Sequence, residues 1–328
     1  MSDSSQAHSF DGDPVADWYF PKLARPQLRG LSQRSNWQGL THIGLWLVLC
    51  LCSGSWVVLT LGTWWIIPAV VVYGICLSFS YAASHECSHG TAFRTRWLNE
   101  TVFWITSVIF MEEAVYRRYA HADHHTYTWF NESDPQKPYG NPLGAWEYIK
   151  ETFLLTFYQD ALRRLIRHSL GRFDAQERGF LPAAEQRRVS LDSRLMLAIY
   201  VGLLAWGVLI LSPWPFVLYF IPRYIGGCVV NLYINSQHMC MAEDLKDHRR
   251  TTRSIRCNPI ERLLYWNMNY HIEHHLYPAV PFHALPKLNA LVGGELPAPT
   301  AGVWSANLAI VRAIRRQRRE PGFNLGVS

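Results

Sequence analysis

The chain has 328 residues, 49% of them hydrophobic and 14% aromatic, with a mean hydropathy of −0.04. That length suits one large domain or two modest ones, and the hydropathy is too low for a protein held wholly in lipid, so the chain reads as part bilayer and part aqueous. A net charge of +6 admits nucleic acid, anionic lipid or an acidic protein as partner, and with no nucleic-acid fold signature in sight the reading takes no nucleic acid.

In chain order, the first 16 residues are polar and Ser/Asp-rich and lack the basic-then-apolar order of a signal peptide, so a disordered tail is expected. Ser35 to His85 contains no Asp, Glu, Lys or Arg. A span needs about 20 apolar residues, so this run holds two, near 39–61 and 63–83, with Gly62-Thr63-Trp64-Trp65 at the outer boundary where Trp belongs. Thr101–Met111 is too short to cross and reads as an interfacial or re-entrant helix. Residues 146–168 read as one amphipathic surface helix and 169–194 as a polar loop. A second apolar run, Leu195–Ala242, carries one charge, Arg223, and Ser212-Pro213-Trp214-Pro215 breaks it into spans near 195–211 and 215–235.

Lys and Arg flank the spans at the ends away from both hairpin tips, which places both termini and every long loop in the cytoplasm. The expected fold is all-α: a polytopic membrane protein with four transmembrane helices in two hairpins and a cytoplasmic helical cap. Residues 1–34 form a cytoplasmic pre-span segment, 35–290 the membrane domain and 291–328 a cytoplasmic tail. In that tail the arginines of Val311–Arg319 either rest on anionic headgroups or form a solvated basic helix. The seven cysteines form no C-x-x-C pair and read as small buried hydrophobes in a reducing compartment.

Histidine carries the chemistry. His121, His124 and His125 form H-x-x-H-H, His271, His274 and His275 repeat it, and His85 and His89 form H-x-x-x-H. At 14 histidines in 328 residues, one H-x-x-H-H is expected by chance roughly 0.03 times, so two copies are a signal. Residues three and four apart share a helix face, so each box is expected to aim its rings at one point. His238, at the end of the fourth span, is a ninth candidate. Nine nitrogens without thiolates suit two first-row transition metals, iron above all. Glu86, Asp123 and Glu273 neighbour these histidines and are expected to accept the outward ring N–H groups, while Asn235, Asn267 and Asn269 could hold a metal-bound water. His8, His42, His168, His248 and His283 lack a partner at ligand spacing and read as structural.

HECSHG, HADHH and NYHIEHHLYP resemble the three histidine boxes of the integral-membrane fatty acid desaturase superfamily, over roughly residues 40–290. LKDHRRTTRS, NPIERLLYWNMNYHIEHHLYP and HGTAFRTRWLN are similar to a bacterial subgroup that includes hydrocarbon oxygenases. The resemblance implies a non-haem di-iron centre of two Fe on the eight box histidines and His238, O2 as co-substrate and a bacterial inner-membrane location. It also implies electrons from a separate ferredoxin or cytochrome b5 type donor with its reductase, because no flavin, heme or iron–sulfur motif is visible. The expected function is desaturation of an aliphatic chain, foremost a membrane fatty acyl lipid. The alternatives are hydroxylation, demethylation or desaturation of a smaller metabolite, which a polar cluster beside the metals would favour, and, remotely, metal binding or transport.

Overall fold

A computed structural model describes residues 18–326; the polar start of the chain, with His8, lies outside the described residues. Apart from one isolated bridge between Ile255 and Thr300, all regular structure among the described residues is helical. Four helices are long and apolar enough to cross a membrane: Asn36–Leu59, Ile66–Ser88, Ala183–Leu209 and Phe216–His238. They form two hairpins, the first turning at Gly62, whose φ of +84° suits a residue without a Cβ. Trp64 and Trp65 stand exposed at that tip.

The third span starts well before Leu195, the expected boundary. The polar stretch before it is not a loop. Asp174 caps the short helix Ala175–Phe180 by accepting from Glu177 N at 2.9 Å, and Pro182 then starts the span. Ala183–Arg188 is rich in Ala, Glu, Gln and Arg, strong helix formers whose polarity hides a helix from an apolar-run reading. The resulting 27-residue helix rises about 40 Å at about 1.5 Å per residue, beyond the ~30 Å hydrocarbon layer. Its charged first turns therefore stand outside the bilayer.

The second span is the most enclosed of the four, 61% of its apolar window being buried against 28% for the first. It crosses the fourth span at two glycines. A Cβ on Gly226 would lie 1.7 Å from Gly74 O, and one on Gly74 would lie 2.3 Å from Pro222 O. Only residues without side chains allow this approach, the usual device for close helix packing in lipid. The crossing sets the cap ends of both spans, with His85 and His238, side by side.

The short apolar segment is the helix Arg96–Phe110, which packs on the end of the second span through a 2.9 Å Ser84–Ser107 hydroxyl contact. It ends at Met111 in the left-handed conformation. Its last carbonyls would be unsatisfied, but Arg223 donates from Nε to Ile109 O at 3.2 Å and from Nη2 to Phe110 O at 3.1 Å. The guanidinium lies over the Phe110 ring at 4.3 Å. The lone charge of the fourth span is thus a cap on the end of another helix.

Residues 146–168 are not one helix. Ala145–Thr152 and Phe157–Ser169 are separated by a turn at Leu154, which has φ of +54°. Leu154 points inward, its Cδ1 occupying the space beside Gly227 where a side chain would stand. Trp146, Ile149, Phe153, Leu155, Leu162 and Ile166 face outward, as in helices that lie in a membrane interface. At the far end, Val303–Gln317 packs Ile310, Ala313 and Ile314 into a core with Leu143, Met239 and Cys240, so this part of the expected tail belongs to the cap. Arg312, Arg315, Arg316, Arg318 and Arg319 lie on its exposed side.

Helix Ala114–Thr126, which carries the second histidine box, is anchored at its start. The fully buried Glu113 carboxylate accepts from His168 Nδ1 at 2.8 Å, Ser193 Oγ at 3.1 Å and Arg164 Nε at 3.1 Å. His168 Nε2 bonds Glu177 Oε1 at 3.0 Å. Burial opposes charge on all three groups. Arg164 and His168 nevertheless hold Glu113 down to about 2, His168 and Arg167 hold Glu177 down to about 2, and the two carboxylates hold His168 above its ordinary 6.5. The carboxylate contribution is complete above pH 4.5 and fades only as pH falls toward 2; the histidine contribution is complete below 6.5 and fades as pH rises through the raised value. Thermal unfolding in detergent should therefore show a stability loss on the alkaline side that His168→Gln lacks. The variant should unfold several degrees lower at about pH 6 and converge on the wild type at about pH 9. Parallel curves for the two proteins across that range would refute the charged pairing.

Candidate metal centre

His85 sits in the last turns of the second span and His89 ends it; His121, His124 and His125 lie in the last turns of helix Ala114–Thr126; His238 ends the fourth span; and His271, His274 and His275 lie on the short helix His271–Leu276. The fold brings all nine together. Single ring nitrogens of His85, His89, His121, His125 and His274 lie within 4.8 Å of one another, and so do those of His124, His238 and His275. His271 Nε2 joins the second group, 2.9 Å from His238 Nε2 and 3.2 Å from His275 Nε2.

The boxes do not each converge on one point, as their spacing suggests. His121 and His125 serve the first group and His124 the second, while His274 serves the first and His271 and His275 the second. At 3.6 residues per turn, neighbouring side chains diverge by about 100°. Adjacent histidines such as His124 and His125 therefore face different centres, and each H-x-x-H-H box is shared between them, while His85 and His89 both serve the first.

Each group is a cluster of closely packed nitrogen donors. Burial first, and then the surrounding imidazoles, lower the proton affinity of His121, His125, His271 and His275 well below the ordinary value and that of His274 down to about 3. Both nitrogens of His85, Nε2 of His89 and His274, and Nδ1 of His125 and His271 are buried without a hydrogen-bond partner. Neutral nitrogens left bare, and pairs facing one another at 2.9–3.2 Å, fit a shared cation between them. All-imidazole sets without thiolate or carboxylate suit first-row transition metals over Mg or Ca.

The outward nitrogens are held by the protein. His124 Nδ1 donates to Asp134 Oδ2 at 2.8 Å, His121 Nδ1 to Gln136 Oε1 at 3.0 Å and His238 Nδ1 to Thr251 O at 2.9 Å. Thr128 Oγ1 donates to His124 O and so accepts from His275 Nδ1 at 3.1 Å. Such partners fix the tautomer and aim the other nitrogen at the centre. Asp134 is itself fixed by Trp129 N and Gln136 N, each at 2.8 Å.

The carboxylates expected in this role contact no ring nitrogen. Glu86 accepts from Thr91 Oγ1 and Phe282 N, tying the second span to the segment after box three; Glu273 accepts from Ser254 Oγ and Asn289 Nδ2. Asp123 is raised to about 6 by burial and then by neighbouring Asp134. Helical phase turns all three away from the cluster. Asp134 went unread because it lies in the turn NESDPQKP, where only the folded chain shows its approach to His124. The asparagines mainly brace backbone: Asn267 Nδ2 donates to Phe282 O and Asn269 Nδ2 to Ile255 O, while Asn235 Nδ2 donates to Thr152 Oγ1. Of the three, only Asn235 shares a cavity with the histidines. His248 stacks on Trp18 at 4.1 Å, and His42 packs edge-on against Phe282 at 4.7 Å, beside His283.

A cavity of about 310 Å³ opens onto His85, His121, His124, His238 and His271 and runs past Phe110 and Phe157 toward the outward-facing apolar helices. A separate groove reaches His89 and is lined by Arg34, Arg94, Arg96 and Arg118.

Asp134→Asn keeps the shape at His124 but removes the anion, and should weaken metal retention about 10- to 100-fold. His274→Ala should lose the first group's metal outright, and His283→Ala should match the wild type. Metal content after graded chelator dialysis reads all three, and wild-type retention by Asp134→Asn would overturn the role given to that residue.

Comparison with known proteins agrees with the box resemblance. Residues 62–307, which include three of the spans and all nine histidines, match the fatty acid desaturase family. The human sphingolipid delta(4)-desaturase/C4-monooxygenase DES2 is 28% identical over 250 residues, covering 73% of this chain and 70% of that protein. A putative sphingolipid delta(4)-desaturase/C4-monooxygenase of Caenorhabditis elegans is 25% identical over 240 residues, covering 69% of this chain and 59% of that protein. With that match over most of the chain and four membrane-type helices, the chain belongs to the fatty acid desaturase family.

Proposed function

We propose that this protein is an O2-dependent, non-haem di-iron oxidoreductase of the membrane that desaturates an aliphatic lipid chain or hydroxylates it. The observation that carries the reading is the division of nine buried imidazoles into two adjoining groups. When bound, two irons supply reduction of O2 and removal of hydrogen from an unactivated C–H bond. For desaturation the balance is one CH2–CH2 unit, O2, two electrons and two protons, giving CH=CH and two waters. Insertion of one oxygen atom instead gives an alcohol and one water.

The chain's own residues bind, orient and exclude water. Asp134, Gln136, Thr128 and Thr251 hold the ring tautomers, and Phe110, Tyr81, Trp129 and Phe157 wall the cavity in which a carbon would face the histidines. Position of the next hydrogen in that cavity decides between alkene and alcohol. The names of both relatives pair a desaturase with a monooxygenase activity, which fits one oxidant with two outcomes.

The apolar outer faces of the spans and surface helices support a lipid substrate. A smaller metabolite is favoured by the polar side chains Glu112, Gln136, Asn231, Asn235 and Gln237 on the cavity wall. Two irons per purified chain are expected, together with new double bonds or hydroxyls in the lipids of cells that make the protein. Stoichiometric zinc with activity retained after iron removal sinks the reading; an unchanged lipid profile beside an iron-loaded, O2-consuming protein moves it to the metabolite.

Electrons come from a separate acidic carrier of ferredoxin or cytochrome b5 type, docking on the cytoplasmic cap, with both termini on that same side and the spans in a bacterial inner membrane. Several arginines of the cap are already paired: Arg117 with Glu112, Arg118 with Glu100, Arg163 with Asp160, Arg164 with Glu113, Arg188 with Glu185 and Arg249 with Asp247. Arg34, Arg94 and Arg96 are exposed beside the groove to His89, and complementary charge there would speed encounter. Raising salt from about 0.02 to 0.3 M should slow donor-supported turnover several-fold and leave turnover with a small chemical reductant nearly constant. Equal response of the two rates would rule out docking by charge.

A further inference from the structure

One wall of the cavity beside the histidines is built of acceptors that the metal groups do not use. Asn231, Asn235 and His238 fall at positions i, i+4 and i+7 of the fourth span and form one stripe. The Asn231 amide donates to the backbone carbonyl of Glu151 at 2.5 Å, and the Asn235 amide to Thr152 Oγ1 at 3.0 Å. A backbone carbonyl only accepts, so the orientation of Asn231 is fixed, with its own oxygen left over. Both residues are buried, and neither carboxamide oxygen accepts a hydrogen bond from any described residue. The part-buried Glu151 carboxylate lines the same cavity and has no ion pair among the described residues. The cations on that wall are already matched, Arg117 by Glu112 and Arg164 by Glu113. Two unpartnered donors of the lining, Arg117 Nε and Trp129 Nε1, belong to other segments; what this stripe leaves unsatisfied is acceptors.

We propose that the Asn231–Asn235–Glu151 wall seats the hydrogen-bond-donating head, a hydroxyl or an amine, of an amphiphilic substrate, so that the carbon oxidised lies close to the head. The inference rests on the oxidative reading above and names the class of substrate it takes. At about 1.5 Å per residue, Asn235 and Asn231 stand about 4.5 and 10 Å along the helix from His238. A head held on this stripe leaves only a short stretch of chain between itself and the metal groups. The volume agrees: 310 Å³ lies near the bottom of the roughly 300–1,000 Å³ range of ligand sites and suits a head with the adjoining methylenes. The rest of the chain trails past Phe157 to the apolar faces of Phe153 and Leu155.

The test uses the full-length, iron-loaded protein in lipid nanodiscs and two amphiphiles with one alkyl chain. One carries a free amino alcohol head; the other is O-methylated and N,N,N-trimethylated, so it has no donors. Calorimetry without O2 should give about tenfold or more tighter binding of the free head, and mass spectrometry after turnover should place the new double bond or hydroxyl within a few carbons of it. Asn231→Leu should erase the preference with iron content unchanged. Asn231→Ser, which keeps a small acceptor, should restore part of it and guards against misfolding. If the amine is the donor that matters, Glu151→Gln erases the preference too; if the hydroxyl is, Glu151→Gln keeps it. Equal binding of the two heads by the wild type, or oxidation in mid-chain, overturns the proposal. Oxidation of both probes alike would leave the oxidative reading standing without this recognition; selective binding with no oxidation of either would do the reverse.

Discussion

The structure depends on one constraint: nine imidazoles must be gathered into two adjoining groups, with some ring nitrogens anchored by the protein and others left bare. Burial lowers the proton affinity of His121 and His274, which favours their neutral form and leaves lone pairs for a cation. Bare buried nitrogens are costly, and helices from the membrane and from the cap must meet in one place to supply them. The glycine crossing of the second and fourth spans brings His85 and His238 level. The Glu113–His168–Glu177 anchor fixes the start of the helix that carries the second box. Glu86 and Glu273, though they touch no metal-facing ring, tie the box-three segment to its surroundings.

Much of this was readable from residues. An uncharged run as long as Ser35–His85 has no room in an aqueous fold, so the first hairpin was legible, and two copies of H-x-x-H-H pointed to histidine clusters before any geometry. The splitting of each H-x-x-H-H box between two centres was also latent in the helix period, since adjacent residues cannot face one point. The rest was set by tertiary contact. Asp134 reaches His124 only because the turn after box two folds back. The break at Leu154 reflects the space beside Gly227 on another helix, and the charged start of the third span concealed a helix that continues outside the bilayer.

Arg223 shows why a charge inside an apolar run need not mark a conduction path. A helix that ends buried among other helices leaves carbonyls with little water to meet them, and a guanidinium from the neighbouring span serves instead. The segment Arg96–Phe110 can therefore stop short of crossing, and its end, Phe110, forms part of the wall of the cavity beside the histidines.

The interleaving of the boxes also bears on biogenesis. Each centre draws on the second span, the second box and the third box, or on the fourth span and the same two boxes. No contiguous stretch of chain owns a complete ligand set. During synthesis the amino-terminal half can insert and pair its helices, but neither group is complete until the third box, with His274 and His275, has left the ribosome and docked. Capture of a metal by these groups would then be a late, whole-chain event that joins membrane to cap, and its free energy would be released as stability of the finished fold. A truncated or misinserted chain gathers too few nitrogens at either point, so the centre itself reports that assembly is complete.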